Sequence, residues 1–187
     1  MATPDTAAAP DTAVEHVVLL DDAGRPIGSI PKSAVHTTET PLHLAFSCYL
    51  IDDDGRLLLT RRALTKTTWP GVWTNSFCGH PAPGESLTDA LTRRAAQELG
   101  TAVDSLRVIA PDFRYRAVDA SGIVENEVCP VFAARLAAPL NPDPAEVAEW
   151  HWVRHAEAAA ALRATPFAFS PWFVEQLGAG VFERLPS

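Results

Sequence analysis

The chain is short of cysteine, short of basic residues and without any long apolar run, and each shortage removes a class of explanation. Its three cysteines, Cys48, Cys78 and Cys129, are odd in number and follow no disulfide or zinc-knuckle spacing. A stapled secreted scaffold is therefore excluded, and reduced thiols in a cytoplasmic protein are expected. Lys and Arg number 15 against 23 Asp and Glu, a net charge of −8. That balance offers no basic face to nucleic acid, but it leaves room for a local basic pocket around an anionic small molecule. No stretch reaches the ~20 apolar residues of a membrane span. The start, MATPDTAAAPDTA, lacks a basic n-region and an apolar h-region, so it does not read as a signal peptide. Internal repeats and a credible linker are also missing. Residues 1–13 are expected to be a disordered Ala/Pro/Thr tail, and 14–187 one domain with a core that needs no staples.

Hydrophobic periodicity predicts strands at 14–20, 27–30, 43–51, 56–62, 106–118, 123–136 and 147–154, with Pro111 and Pro130 interrupting two of them. In 43–51 the alternation puts Leu44, Phe46, Cys48 and Leu50 on one face and His43, Ala45, Ser47 and Tyr49 on the other. Helices are expected at 87–99, 155–164 and 170–177. Hairpin turns, rather than strict βαβ units, join many strands. The fold class is α+β, a mixed α/β sandwich of sheets flanked by helices.

The densest chemistry lies in Trp69–Gly100, WPGVWTNSFCGHPAPGESLTDALTRRAAQELG. In an extended Cys78-Gly79-His80, the thiol and the imidazole share a face. The helix that follows has Ser86 as N-cap, Asp89 three residues on, and Gly100 as its stop. Leu87, Ala90, Leu91 and Ala95 form its buried stripe, and Arg94 and Glu98 share another face. Cys78, set among Gly79, His80, Asn75 and Ser76, reads as an accessible, tuned thiol. Cys48 and Cys129 read as structural.

Three histidines, His36, His43 and His80, fall near turns or strand ends. On the strand IVENEV, Glu125 and Glu127 stand two apart and so point the same way, a repulsive pair unless a cation or protons compensate. Three imidazoles and two carboxylates suit one divalent transition metal (Mn, Zn or Fe) better than a structural zinc. Taken singly, each histidine would read as a capping or surface residue; the combination carries the signal. Lys32, Arg61, Arg62, Lys66, Arg93, Arg94 and Arg114 mostly flank the same stretch and suit a diphosphate, with Arg61 and Arg93 read as surface cations.

The helix resembles the Nudix box, G-x5-E-x7-R-E-U-x-E-E-x-G-U with U aliphatic. Gly79, Glu85, Arg93, Glu98 and Gly100 are in register, while Arg94 and Gln97 replace two of its glutamates and Thr101 its last aliphatic residue. With LHLAFS, TRRALTK, WPGVWTNSFCGHP, PDFRYRA, GIVENEVCPVF and TPFAFSPW in order from about Val14 to Trp172, the chain closely resembles type I isopentenyl diphosphate isomerase. The resemblance implies a Nudix-like fold and interconversion of isopentenyl and dimethylallyl diphosphate by protonation and deprotonation through a tertiary carbocation. It implies Cys78 and Glu127 as the proton-transfer pair, Tyr115 bonded to the glutamate, and the Trp172 ring facing the cation. It further implies Lys32, Arg62, Lys66 and Arg94 as diphosphate contacts. His36, His43, His80, Glu125 and Glu127 would be ligands of the transition metal, and Glu98 with the Cys78 carbonyl would hold a Mg²⁺ that arrives with the substrate. A monomer with no nucleic-acid or membrane partner is expected. The rival readings are a Nudix-type diphosphohydrolase, which the two lost glutamates disfavour, and a catalytically dead diphosphate-sensing module.

Overall fold

The computed structural model describes residues 14–186, so the Ala/Pro/Thr tail expected at 1–13 lies outside the described residues. Two sheets form the frame. The smaller has the order β2-β1-β3-β10-β9 and is built from β1 (His16–Leu20), β2 (Pro26–Pro31), β3 (His43–Leu44), β9 (Arg114–Val118) and β10 (Val124–Val128). The larger runs β12-β5-β4-β11-β8, from β4 (Phe46–Ile51), β5 (Arg56–Arg62), β8 (Val103–Ala110), β11 (Val131–Leu136) and β12 (Val147–Arg154). Short β6 (Trp73–Thr74) pairs with β5, and β7 (Phe77–Gly79) pairs with β4.

Three runs read as single strands are each divided between the sheets: 106–118, interrupted at Pro111, becomes the end of β8 and β9, and two others cross side by side. The run 43–51 breaks at Ala45 into β3 and β4, and the run 123–136 breaks at Cys129-Pro130 into β10 and β11. Both halves pair parallel, β10 with β3 and β11 with β4. At the breaks, Ala45 N donates to Val128 O at 2.9 Å and Ser47 N to Pro130 O at 3.1 Å. Pro130 has no N–H to give a ladder, which is why the pairing ends and the chain re-aims there. The two sheets are thus joined by a pair of crossing segments lying side by side. The candidate site residues His43 and Glu127 each lie two residues before one of these breaks.

All six residues of β4 are buried, a pattern that simple alternation with one exposed face does not produce. The cause is a layer on each side of the larger sheet. Helix α2 (Leu87–Leu99) packs Ala90, Leu91, Ala95 and Leu99 against Phe46, Cys48, Leu50, Leu58 and Phe77. On the other face, α3 (His155–Ala164) and α4 (Pro171–Gly178) bring Ala158, Leu162, Trp172 and Phe173 against Tyr49, Ile51, Leu57 and Leu59. The short helix α1 (Lys32–Val35) follows β2 and leads to His36. Among the described residues, no helix is long and apolar enough to cross a membrane.

The caps of α2 agree with the sequence. Ser86 accepts from Asp89 N, and Gly100 closes the helix at φ 58° with its N–H bonded to Ala95 O. Gly100 has a second constraint. A Cβ there would lie 2.2 Å from Asn141 O, because the chain at 141–143 runs against the helix end, with Asn141 N and Asp143 N donating to the carbonyls of Leu99 and Glu98. A side chain at 100 therefore meets both the wrong φ and backbone. Gly100→Ala is expected to destabilise the fold by roughly 2 kcal/mol or more. Denaturant unfolding checks this, and a loss below about 0.5 kcal/mol contradicts it.

Candidate active site

Glu127 is contacted by three side chains from three elements, and sheet register brings two of them to it. It is paired with His43 on parallel β3 and with Tyr115 on antiparallel β9. Lateral neighbours in a sheet present side chains on one face, so the three converge. Its Oε1 lies 3.0 Å from His80 Nε2 and 3.3 Å from His43 Nε2, and its Oε2 accepts from the Tyr115 phenol at 2.9 Å. Burial alone would raise this carboxyl, but the His43 and His80 imidazoles beside it override burial and hold it well below the ordinary carboxylate range. Burial pushes the Tyr115 phenol far up, so it remains a donor.

His36, His43, His80 and Glu127 offer ligand atoms that all lie within 4.8 Å of one another. Glu125 joins beside this group rather than within it: its Oε2 is 3.1 Å from His36 Nε2, and its Oε1 accepts from Thr68 Oγ1 at 2.6 Å. The donors fit a divalent transition metal on two observations. His36 Nε2 and His43 Nε2 are buried and make no hydrogen bond, although carboxylate oxygens stand close by. His43 Nδ1 is 2.9 Å from Pro41 O, which fixes the proton on Nδ1 and turns the Nε2 lone pair toward the cluster. Such orphaned, convergent nitrogens suit a cation. The imidazoles are also unlike: burial lowers His80, whereas at His43 the Glu127 carboxylate outweighs burial and raises it.

Cys78 enters from the other sheet. It is extended in β7, with Ser47 of β4 as its register partner. The thiol opens onto the same cavity as His80, Glu125, Glu127, Tyr115 and Trp172. Burial pushes its pKa up to about 12, so the thiol is protonated at neutral pH, where the sequence had read a tuned one. Gly79 is needed beside it: a Cβ there would meet Arg94 Cγ at 2.7 Å and Phe46 Cζ at 2.9 Å. The missing side chain lets α2 close over β7 and sets Arg94 next to the thiol.

The anion-binding candidates line the same cavity, namely Lys32, Arg62, Lys66 and Arg94, with Glu98. Each already has an acceptor. Lys32 bonds Glu15 at 2.7 Å; Arg94 bonds Glu98 and stands 3.4 Å from Glu146; Lys66 bonds Glu146. Arg62 donates to Thr68 O and Trp69 O at 2.8–3.2 Å, holding the loop that carries Lys66, and its guanidinium lies 5.3 Å over the Trp172 ring. Trp69 itself sits at φ 42° just before Pro70, a strained conformation that this grip maintains, with its ring 5.7 Å from Trp172. Arg93 is committed to Glu85 and His80 O, and Arg61 to Glu149. Arg114 is exposed on β9, reaching Asp22 O at 3.4 Å.

Sequence reasoning missed Thr68, Glu146 and Gln176, and gave no role to Ser47. Ser47 ends LHLAFS and Thr68 directly precedes WPGVWTNSFCGHP, while Glu146 and Gln176 lie outside the quoted motifs, and only the fold brings the four in. Asn75, noted merely as polar, proves central. Its Nδ2 donates to the carbonyls of Cys48 and Phe77, leaving Oδ1 to accept from Thr74 Oγ1 at 2.9 Å, from Trp172 Nε1 at 3.0 Å and from Cys78 Sγ at 3.4 Å.

Residues 41–173 match the NUDIX domain, which sets the class of the fold and of the α2 loop–helix. A solved structure from Deinococcus radiodurans is similar with a TM-score of 0.68 at 19% identity, covering 92% of this chain and 100% of its own. The isopentenyl-diphosphate Delta-isomerase of Paenarthrobacter aurescens is 64% identical over 160 residues, 86% of this chain and 87% of that protein. That of Clavibacter sepedonicus is 59% identical over 163 residues, 87% and 86% of the two chains. The chain belongs to the isopentenyl-diphosphate Delta-isomerase family, within the Nudix class.

The cluster makes its own prediction. His43→Ala removes a fixed imidazole and should weaken binding of a divalent transition metal at least ~10–100-fold, as read by titration of the chelator-stripped protein. Wild-type affinity in that variant would contradict the site.

Proposed function

We propose that this chain interconverts isopentenyl and dimethylallyl diphosphate, moving a carbon–carbon double bond through a tertiary carbocation in isoprenoid biosynthesis. The single observation that carries the mechanism is that Cys78 and Glu127, delivered by different sheets, face one cavity. An unactivated alkene needs a positioned acid, and the resulting cation needs a base to take a proton from a neighbouring carbon. A protonated thiol and an ionised carboxylate supply one of each. Tyr115 holds Oε2 of Glu127 and leaves Oε1 to the histidines. Trp172 is 3% exposed, with its indole N–H anchored on Asn75. Its ring is the cation's neighbour, an attraction worth ~2 kcal/mol or more once desolvated. Together with Trp69 it keeps water from the cation.

His36, His43, His80, Glu125 and Glu127 would hold one Mn, Zn or Fe ion, which when bound fixes the Glu127 carboxylate and alters its acidity. Lys32, Arg62, Lys66 and Arg94 grip the diphosphate, and Glu98 with the Cys78 carbonyl would hold a Mg²⁺ that arrives with it. Arg94 stands where a hydrolase of this class has a glutamate, so the position is turned from metal binding to holding the substrate intact. Residues 14–187 act as one domain and as a monomer in the cytoplasm, with neither nucleic acid nor membrane as partner.

The test is incubation with isopentenyl diphosphate and Mg²⁺. Dimethylallyl diphosphate should form without phosphate release. Release of phosphate at enzyme-like rates would instead establish the hydrolase reading.

A pH dependence follows from Lys66. Burial, reinforced by Arg62, Arg94 and Lys32, lowers its pKa to about 8, even though Glu98 opposes the shift. The ammonium that grips diphosphate is present below that pH and lost above it. Accordingly kcat/KM should fall as pH rises through about 8. In Lys66→Arg, whose guanidinium stays charged, that limb should disappear; an unchanged alkaline limb would contradict the assignment.

A further inference from the structure

Ser47, Tyr49 and Gln176 are polar, fully buried and unused by the chemistry above. They form one line of hydrogen bonds that ends, at Ser47, on the sulfurs of Cys78 and Cys129. The Tyr49 phenol donates to Gln176 Oε1 at 2.6 Å, and Gln176 Nε2 donates to Ser47 Oγ at 3.0 Å. Ser47 Oγ lies 3.3 Å from Cys78 Sγ and 3.5 Å from Cys129 Sγ. Donor accounting gives this line a direction. With the phenol donating to Oε1, the amide nitrogen must face Ser47, and an amide nitrogen only donates. Ser47 is therefore an acceptor toward Gln176, and its own hydrogen is free for a sulfur, of which Cys78, its register partner, is the nearer. On the far side of Cys78, the Asn75 amide is fixed by two backbone carbonyls, so its oxygen receives the thiol proton. The sulfur sits between an acceptor for its hydrogen and a hydroxyl donor.

We propose that Ser47 and Gln176 are positioning residues for Cys78: Gln176, oriented by Tyr49, turns the Ser47 hydroxyl onto the sulfur and holds the thiol at the cavity wall. Two features of the fold support this. Ser47 and Cys78 are register partners on adjacent strands, so their contact is built into the sheet. Gln176 stands four residues after Trp172 on α4, so one helical face delivers both the cavity's aromatic wall and the amide that sets Ser47. Either proton move by Cys78 changes the charge on sulfur, and a donor already in place meets that change without reorganisation. A neutral hydrogen-bonded chain in a core contributes little net stability over apolar groups of the same shape, which leaves orientation as its function.

The inference rests on the isomerase reading, and the experiment separates the two. Ser47→Ala, Gln176→Leu, Tyr49→Phe and the Ser47→Ala/Gln176→Leu pair are assayed for kcat and KM with isopentenyl diphosphate, alongside alkylation of Cys78 by iodoacetamide followed by mass spectrometry. Ser47→Ala and Gln176→Leu should each lower kcat roughly 10- to 100-fold with KM within about twofold, and the pair should fall no further than the worse single. Tyr49→Phe should give a smaller loss. Alkylation should slow in the same order. A folded Ser47→Ala with wild-type kcat, or losses that multiply in the pair, overturns the proposal. Should Gln176→Leu fail to fold, Ser47→Ala and Tyr49→Phe decide. A wild-type chain that makes no dimethylallyl diphosphate sinks the isomerase reading. In that case the alkylation rates alone decide the inference: slowing in Ser47→Ala supports it, and an unchanged rate overturns it.

Discussion

A buried carboxylate must be compensated, and the rest of the site depends on how Glu127 is. Leaving an isolated ionised carboxylate in the interior is costly by many kcal/mol, so without partners it would protonate. Here His43, His80 and Tyr115 surround it, from β3, the turn after β7, and β9. Bringing those three elements to one point requires the smaller sheet to be in register with itself and joined to the larger. The crossings at Ala45 and Pro130 do both. A slip of one residue in β10 would turn Glu125 and Glu127 away together.

The anion clamp follows the same logic at lower stakes. Lys32, Lys66 and Arg94 are each held by a carboxylate: Glu15, Glu146 and Glu98. Cations packed this closely without counter-ions would repel one another and splay the cavity. In the proposed reaction an arriving diphosphate would share or displace these contacts, so that its charge would replace charge already balanced. Glu146 has a structural share as well. Its carbonyl accepts from Ala63 N at 3.0 Å, tying the loop of Lys66 to the segment that runs along the end of α2.

Legibility in the sequence tracks how local each feature is. The α2 helix, its Ser86 cap, its Gly100 stop and the 147–154 strand were readable because capping and alternation act over a few residues. The parity of Glu125 and Glu127 was readable for the same reason, and both do face the cavity. The division of 43–51 and 123–136 between two sheets was not, because Ala45 marks nothing by itself and Pro130 equally fits a bulge or an edge. The accessibility of Cys78 was legible in its polar neighbours, and it is the partly exposed one of the three cysteines, but its raised pKa comes from packing that only the fold supplies. Arg62 shows another limit: its residue type signals anion binding, whereas the structure spends its donors on the Thr68 and Trp69 carbonyls as well. Ser47 and Asn75 stand inside LHLAFS and WPGVWTNSFCGHP and Gln176 outside any motif, yet none shows its role in the sequence, since what matters is which proton each gives or takes, and that depends on partners up to 129 positions away.

The central claim is that a thiol and a carboxylate on opposite sheets of one cavity exchange protons with a carbon skeleton. The most direct measurement is to incubate the protein with isopentenyl diphosphate and Mg²⁺ in deuterated water, and then to locate the label. Carbon-bound deuterium should enter the dimethylallyl product, and it should be lost in both Cys78→Ala and Glu127→Gln. Full incorporation in either variant, or a product formed without deuterium, would contradict the account.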